Sequence, residues 1–582
     1  MAMITGGELL VRTLVRAGVR NAFGLHGAHL ETLFQSCATH DIRIIDMRTE
    51  VAAGHAAEGY ARSARTLGVA MVTAGPGFTN AITSIANAFL DRTPVLYLAG
   101  SAALRDAETN TLQAGIDQVA IARPITRWAH QITTIGEIPR LVAHAIRIAT
   151  SGARGPVLLD LPMDVLISMI DEDIARIPGT IAIDSPPAPN ALAIEQAIRL
   201  LANARRPIVM AGAGAYWSDS SEELRRFVEA TGVPVYSDFQ AHGLFPSNHR
   251  LYGGTFHKLA DLAVAEDRPD VVLALGVRFG LFTLGRSERL VPARAKIIHV
   301  EIDPAEIGRL KDVAVPIVAD SRETLRALNV AASAIRWPEL SGWQTTIRNA
   351  RAVHHQRLSA LLLPLPHAGE GRGEGPLPLP HAGEGRGEGP SLRIHPYHAV
   401  STVIDCIDDD TIVIGDGAES YHWLNEVIRQ NRPGSYITHG FLGAVGFGLG
   451  LAIGAQVAHP KRRVLCVAGD GAIGFTLAEF DTLVRHQLPV VVVVMNNRSW
   501  AASQHFQEIV SGADHVTGTR LGHARYADAA AAFGCHAQRV TDIGELAPAI
   551  KAALASGKPA CLDVAIDVAP IPPEIELLMS RQ

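Results

Sequence analysis

Short apolar runs bounded by glycine, proline or small polar residues alternate with stretches of helical period along almost the whole 582-residue chain. Near the N-terminus, the helical stretches Gly7 to Gly18, Glu50 to Ala64 and Asn80 to Leu90 interleave with the strand-like runs Val69 to Thr73 and Pro94 to Ala99. Such alternation is the signature of βαβ units on a mostly parallel sheet. The pattern recurs twice, so the expected fold class is α/β, three domains with mostly parallel sheets.

The first unit is expected over residues 1–184, its last strand being Gly155 to Pro162, and the Pro/Ala-rich stretch Ser185 to Asn190 reads as a linker. The second, over 191–337, has strand candidates Pro207 to Ala211, Val271 to Leu275 and Lys296 to Ile302, with Asp303-Pro304-Ala305-Glu306 as a turn into a helix. The third, over 393–568, carries the apolar strands Thr411 to Ile414, Arg463 to Ala468 and Pro489 to Met495. Between the last two lies a repeat: Pro364 to Leu377 recurs almost unchanged from Pro378 to Ser391. Built of glycine, proline and charge, this 364–391 tract cannot bury a core and reads as an interdomain insertion. His367 and His381 repeat with it and are poor metal-ligand candidates.

Hydrophobic residues make up 48% of the chain and charged ones 19%, which excludes global disorder. A net charge of −6 offers no long-range attraction to nucleic acid or anionic lipid, so neither is an expected partner. Cys37, Cys406, Cys466, Cys535 and Cys561 are scattered without a CxxC pair, consistent with a reducing cytoplasm and no disulfide framework. The N-terminus, with Glu8 in a helical period, lacks the pattern of a targeting peptide. The most membrane-like run, Phe441 to Ala455, is too short and too glycine-rich to span; it reads as a buried helix approached closely by other backbone.

The chemistry concentrates in the third unit. Val464 to Ala468 runs into Gly469-Asp470-Gly471, and Val490 to Met495 runs into Asn496-Asn497. Both follow strand ends, and ligands of open parallel sheets bind at the carboxyl edge. A carboxylate, an amide oxygen and a loop carbonyl suit a hard cation such as magnesium that bridges to a diphosphate. Gly469 and Gly471 permit close backbone approach to phosphate.

With these residues the chain resembles the thiamine-diphosphate enzymes of the acetolactate synthase family, over nearly its whole length apart from the repeat. The resemblance implies that Asp470, Asn497 and the carbonyl of Ser499 hold Mg2+, which in turn holds the diphosphate of thiamine diphosphate. Arg48 to Arg62 is similar to the family's glutamate helix, followed by Thr73-Ala74-Gly75-Pro76-Gly77. By that likeness Glu50 is the carboxyl that bonds the aminopyrimidine and activates the thiazolium carbon; Glu58, two turns on, is expected to be solvated. Gly440 to Gly454 resembles the helix beneath the cofactor, with Val445 propping the thiamine rings. Asp416-Gly417-Ala418-Glu419 matches the diphosphate loop, with Gly417 and Glu419 as contacts, although it departs from the usual DVGQ. The resemblance also implies a homodimer or dimer of dimers, since in this family the glutamate domain of one subunit faces the diphosphate domain of another.

Where acetolactate synthases have proline and two glycines, this chain has His26-Gly27-Ala28-His29. Imidazoles titrate near neutrality, so His26 and His29 are candidates for proton transfer or for binding a hydrated carbonyl. The departure resembles cyclohexane-1,2-dione hydrolase, which makes cleavage of a 1,2-dione or related 2-oxo compound the first expectation and acetolactate-type carboligation of pyruvate the second. Gln113 lies where the family places a pocket glutamine, and Trp500 and His505 are further candidates for the pocket wall. In the middle unit Gly212 to Ala215, Tyr252 to Gly254, Gly276, Arg278 and Asp303 resemble the family's flavin-binding segments, implying FAD; Arg154 is one residue out of register with the usual flavin arginine. Two rivals stay open: an idle cofactor-binding paralogue, and a flavin or nicotinamide oxidoreductase centred on the middle unit.

Overall fold

The computed structural model describes residues 3–106, 108–109, 111–183, 185–263, 268–361, 393–429, 431–438 and 440–579. The 364–391 repeat, with His367 and His381, lies outside the described residues. Three six-stranded sheets, all parallel, form the frame. A two-stranded antiparallel ribbon pairs Met3–Thr5 with Met169–Asp171.

The first sheet runs, edge to edge, Arg43–Asp46, Asn21–Gly24, Gly68–Val72, Val95–Ser101, Val157–Pro162, Trp128–Gln131. The third runs Tyr436–Thr438, Ile412–Asp416, Val464–Gly469, Val491–Asn496, Ala560–Ala565, His536–Val540. Numbered within each unit, both follow the order 2-1-3-4-6-5. The middle sheet runs Tyr252–Thr255, Val235–Ser237, Pro207–Ala211, Val271–Leu275, Lys296–Glu301, Val315–Val318. That is the order 3-2-1-4-5-6 of dinucleotide-binding folds. In each sheet the central strands are continuous buried apolar runs, because helices cover both faces.

Two expectations about elements need correction. Asp303 caps only a single 3₁₀ turn, Pro304–Glu306, ahead of a further strand, so no helix starts there. The glycine-rich stretch becomes helical only at Gly448–Ala458, leaving Val445 in the preceding loop. Glycines at 443 and 446 there have φ of +69° and +83°, which stops the helix from starting earlier.

The helix Gly448–Ala458 is buried, as its composition requires, and packs on Glu50–Ala64 with almost no side chain between the two backbones. A Cβ on Gly454 would lie 1.9 Å from the Ala56 carbonyl oxygen, and one on Gly59 would lie 2.3 Å from that of Leu451. This contact joins the first and third sheets within one chain. A buried ionic knot seals its edge: Glu58 is fully buried and accepts two bonds from Asn87 Nδ2, at 3.1 and 2.9 Å, with Arg62 and His55 within 3.4 and 3.5 Å. Glu58 is therefore not solvated; its helix face turns inward at that position because the neighbouring helix Pro76–Leu90 brings Asn87 to meet it. Among the described residues no helix is long and apolar enough to cross a membrane. All five cysteines are free.

Candidate active site

Glu50 is the first residue of its helix, with Thr49 as the N-cap, and is 7% exposed. Asn80 Nδ2 donates to Oε2 at 3.1 Å, while Oε1 lies beside Gly77, where a Cβ would stand 3.4 Å away. One carboxylate oxygen is thus anchored and the other meets bare backbone. Glu479, fully buried in the third unit, accepts from the backbone N–H groups of Arg48 and Thr49 at 3.1 Å each and caps the start of this helix. Burial pushes the Glu479 carboxyl up, against the hydrogen bonds that draw it down. Sequence reasoning missed Asn80 and Glu479; the latter, one helical segment after Asp470, had no local signal, since its partners are more than 400 positions away in sequence.

At the third sheet, Gly469 and Gly417 abut: φ at Gly417 is +86°, and a Cβ there would lie 3.2 Å from the Gly469 nitrogen. Gly471 leaves room for the Trp500 ring, which a Cβ would meet at 2.5 Å. The Asp416 carboxylate, which opens the Asp416–Glu419 loop, accepts backbone N–H bonds from Gly417, Gly446 and Gly448 at 2.7, 3.0 and 2.8 Å, and so ties that loop to the one carrying Val445.

Asp470 is 2% exposed, and burial pushes its carboxyl up to about 6 against backbone bonds from Gly471 and Arg498. Among the described residues no cationic side chain pairs with it, and a carboxylate held dry without a counter-charge is what a divalent cation satisfies. Asn497 Oδ1 accepts from the Ser499 N–H at 3.0 Å, a turn helped by Arg498 at φ +62°, and keeps a second lone pair. Ser499 is buried, its hydroxyl donating to Gln504 at 2.6 Å. No three His, Cys, Asp or Glu side chains cluster as metal ligands among the described residues. The donor set fits magnesium.

His26 and His29 sit at the carboxyl edge of the first sheet, where a Cβ on Gly27 would lie 2.2 Å from Thr73 Oγ1. They do not share a partner. His26 is exposed and meets Glu31 at 2.6 Å, whereas His29, half-buried, meets Thr73 Oγ1 at 3.3 Å. Burial lowers the His29 pKa. Gln113 packs over Gly75 with φ +63°; a Cβ on Gly75 would come 3.1 Å from its Cα. His29, Gln113 and Glu50 thus flank one short segment, Thr73 to Gly77, and His26 lies outward of them.

A cavity of about 470 Å³ opens at the carboxyl edge of the middle sheet, against the first unit. Gly214, Gly276, Arg92, Arg154, Arg278 and Trp217 are among its walls. Gly276, with φ +57°, approaches Gly214 so closely that a Cβ would meet its Cα at 2.4 Å. The volume is within the roughly 300–1,000 Å³ of ligand pockets, and the guanidinium groups suit an anionic nucleotide. Arg154, its guanidinium 5.1 Å over the Trp217 ring, belongs to the wall despite its shifted register. Asp303 does not line the cavity; it pairs with Arg92 at 2.8 Å, drawn there by the turn that ends its strand.

Comparison with known proteins agrees with this architecture. Residues 4–121 match the thiamine pyrophosphate enzyme N-terminal TPP binding domain, 194–328 the central domain and 416–564 the C-terminal TPP binding domain. The chain is 32% identical to a probable acetolactate synthase large subunit of Methanocaldococcus jannaschii, covering 97% of this chain and 92% of the relative. It is 31% identical to an acetolactate synthase large subunit of Mycobacterium tuberculosis, covering 96% and 95%. Identity is 32% to a probable chloroplastic acetolactate synthase of Oryza sativa, covering 97% and 83%.

Proposed function

Because this chain belongs to the thiamine-diphosphate-dependent acetolactate synthase family, we propose that it uses thiamine diphosphate and Mg2+ to join or cleave carbon-carbon bonds next to a carbonyl, with carboligation of pyruvate or a related 2-oxo acid as its reaction. The observation that carries the chemistry is the presence of two prepared carboxylates: Glu50, half-anchored by Asn80, and Asp470, dry and without a counter-charge among the described residues. The bound cofactor supplies a carbon nucleophile and an electron sink. With the cofactor bound, Glu50 would bond the aminopyrimidine through its free oxygen and hold the proton that sets the ring's tautomer, while Asn80 fixes the carboxyl plane. Asp470, Asn497 and the Ser499 carbonyl would hold the metal, and Gly417, Gly469 and Gly471 would bring backbone to the diphosphate. Val445, in the loop that Asp416 anchors through Gly446, would prop the thiamine rings. An idle paralogue would need only the metal-binding half; retention of Glu50 argues for turnover.

The carboligase reading is supported by relatives that are named acetolactate synthases and match more than nine-tenths of the chain. It displaces dione cleavage as the first choice. Cleavage of a 1,2-dione stays as the second reading on a specific observation: His29, in the loop where the family has proline and glycines, meets Thr73 beside the Glu50 segment. FAD is the proposed occupant of the 470 Å³ cavity, between Gly276, Arg278 and Arg154. The proposed domain limits are 1–184, 191–337 and 393–568, and the proposed assembly is a homodimer, or a pair of them, in which the glutamate edge of one protomer faces the diphosphate edge of the other. Parallel incubation of the protein with pyruvate and with cyclohexane-1,2-dione, each with and without thiamine diphosphate and Mg2+, tests the reading. Cofactor-dependent acetolactate supports the first choice; cofactor-dependent ring opening alone replaces it with the second; turnover indifferent to thiamine diphosphate rejects both.

A further inference from the structure

Glu419 stands two residues past Gly417, in the first turn of the helix Ala418–Val427, and is 8% exposed. His505, 1% exposed, lies on the helix Ala501–Ser511 that leaves the Asn497–Ser499 turn. Glu419 Oε1 and His505 Nδ1 are 2.6 Å apart, across 86 positions of sequence. Burial alone would lower the ring's pKa, but the bond to Glu419 and its charge outweigh burial and hold His505 above the ordinary histidine value. Burial raises Glu419, opposed chiefly by the same bond. The other groups facing the pair are Glu508, felt by both, His422 on the carboxylate side and the Val568 carbonyl on the ring side.

The sequence departs from DVGQ at this very residue, so the chain carries a carboxylate where the motif has a neutral amide. The buried histidine is the group that answers it.

We propose that Glu419 and His505 are positioning residues acting as one charge-compensated unit, in which the imidazolium cancels the carboxylate so that the Gly417 loop accepts an anionic diphosphate, and loss of the ring proton leaves the loop net negative and weakens its grip. The inference rests on the functional reading above, since it concerns the same diphosphate loop. A lone carboxylate in a dry pocket beside a polyanion is costly, and one unit charge about 10 Å away at an effective dielectric near 20 changes binding roughly tenfold. The sign follows from the ring: because its folded pKa is raised, compensation is complete at pH below about 6.5 and is lost as pH rises through the raised value. Cofactor affinity therefore falls on the alkaline side.

The test is a tryptophan-fluorescence titration with thiamine diphosphate at saturating Mg2+, between pH 6.5 and 9, on the full-length cofactor-depleted protein and on Glu419→Gln, His505→Gln and the double variant. The double variant carries the pH dependence of metal and diphosphate themselves, so the unaltered protein should lose about tenfold more affinity across the range than it does. His505→Gln should bind about tenfold more weakly at pH 7.5, and adding Glu419→Gln should restore binding to within about twofold. Glu419→Gln alone should flatten the profile, which decides the matter even if His505→Gln fails to fold by circular dichroism. Superimposable profiles for the unaltered and double-variant proteins, or the absence of rescue in a folded His505→Gln background, would overturn the pair's role. Failure of the unaltered protein to bind thiamine diphosphate at any pH would overturn the functional reading, and this one with it.

Discussion

The first and third sheets follow the same path, strand order 2-1-3-4-6-5, yet present different chemistry at the same edge. In the first, the loop after the opening strand carries His26 and His29, and the loop after the third strand is Thr73 to Gly75. In the third, the corresponding loops are Asp416 to Glu419 and Gly469 to Gly471. The strand that follows the opening one leads into Glu50 in the first sheet and into the Val445 loop in the third. One scaffold thus yields an imidazole and carboxyl rim on one side and, on the other, a dry carboxylate among close-packed glycines, the proposed cation and phosphate cradle. The comparison teaches that the sheet supplies position, while a handful of residues after its strands supplies function.

The sharpest way to break that division is Glu50→Gln. Turnover should fall by about 10²–10⁴-fold, the range of a lost general acid-base group, while thiamine diphosphate affinity changes little. Undiminished steady-state activity would show that the first sheet's rim does no chemistry. Asp470→Ala attacks the other edge, and Mg2+-dependent thiamine diphosphate binding, read by fluorescence, should weaken by at least about a hundredfold. Equal cofactor affinity in that variant would move the cation elsewhere.

A smaller effect tests the joint between the sheets. Gly454→Ala places a methyl 1.9 Å from the Ala56 carbonyl oxygen and should destabilise the fold by about 1–3 kcal/mol, seen as a lower midpoint in thermal or denaturant unfolding. A wild-type midpoint would mean that the two helices part easily. The mildest prediction separates the two imidazoles. His29→Asn should alter the acidic limb of the rate profile, which lies below pH 6.5 because burial keeps this ring neutral at pH 7, whereas His26→Asn, at an exposed ring, should change the rate less than about threefold. An acidic limb unmoved in His29→Asn would remove this residue from the reaction.

Much of this was legible in one dimension. Central strands such as Pro207–Ala211 and Val271–Leu275 are short, apolar and punctuated, so their limits coincide with the expected ones. The helix Glu50–Ala64 also coincides, since Thr49 caps it and Arg65 ends it at φ +53°. Edge strands such as Arg43–Asp46 and His536–Val540, half-exposed and mixed in polarity, gave no such pattern. The residues that shape the site from behind were hidden for a different reason. Glu479 and Asn80 owe their roles to partners far along the chain, and Glu58 reads as a surface residue until Asn87 is brought against it. Composition reveals what a residue is able to do; only the folded path reveals whom it meets.

The backbone-on-backbone seam between Glu50–Ala64 and Gly448–Ala458 has a mechanical consequence. With no compressible layer of side chains at the joint, the two halves of a subunit are held as one casting, and a larger or smaller reactant has to be accommodated by the lip of loops formed by residues 25–29 and 111–117 rather than by sliding the halves apart. Engineering for new reactants belongs on that lip, and alterations at the seam forfeit the chassis before they gain a substrate.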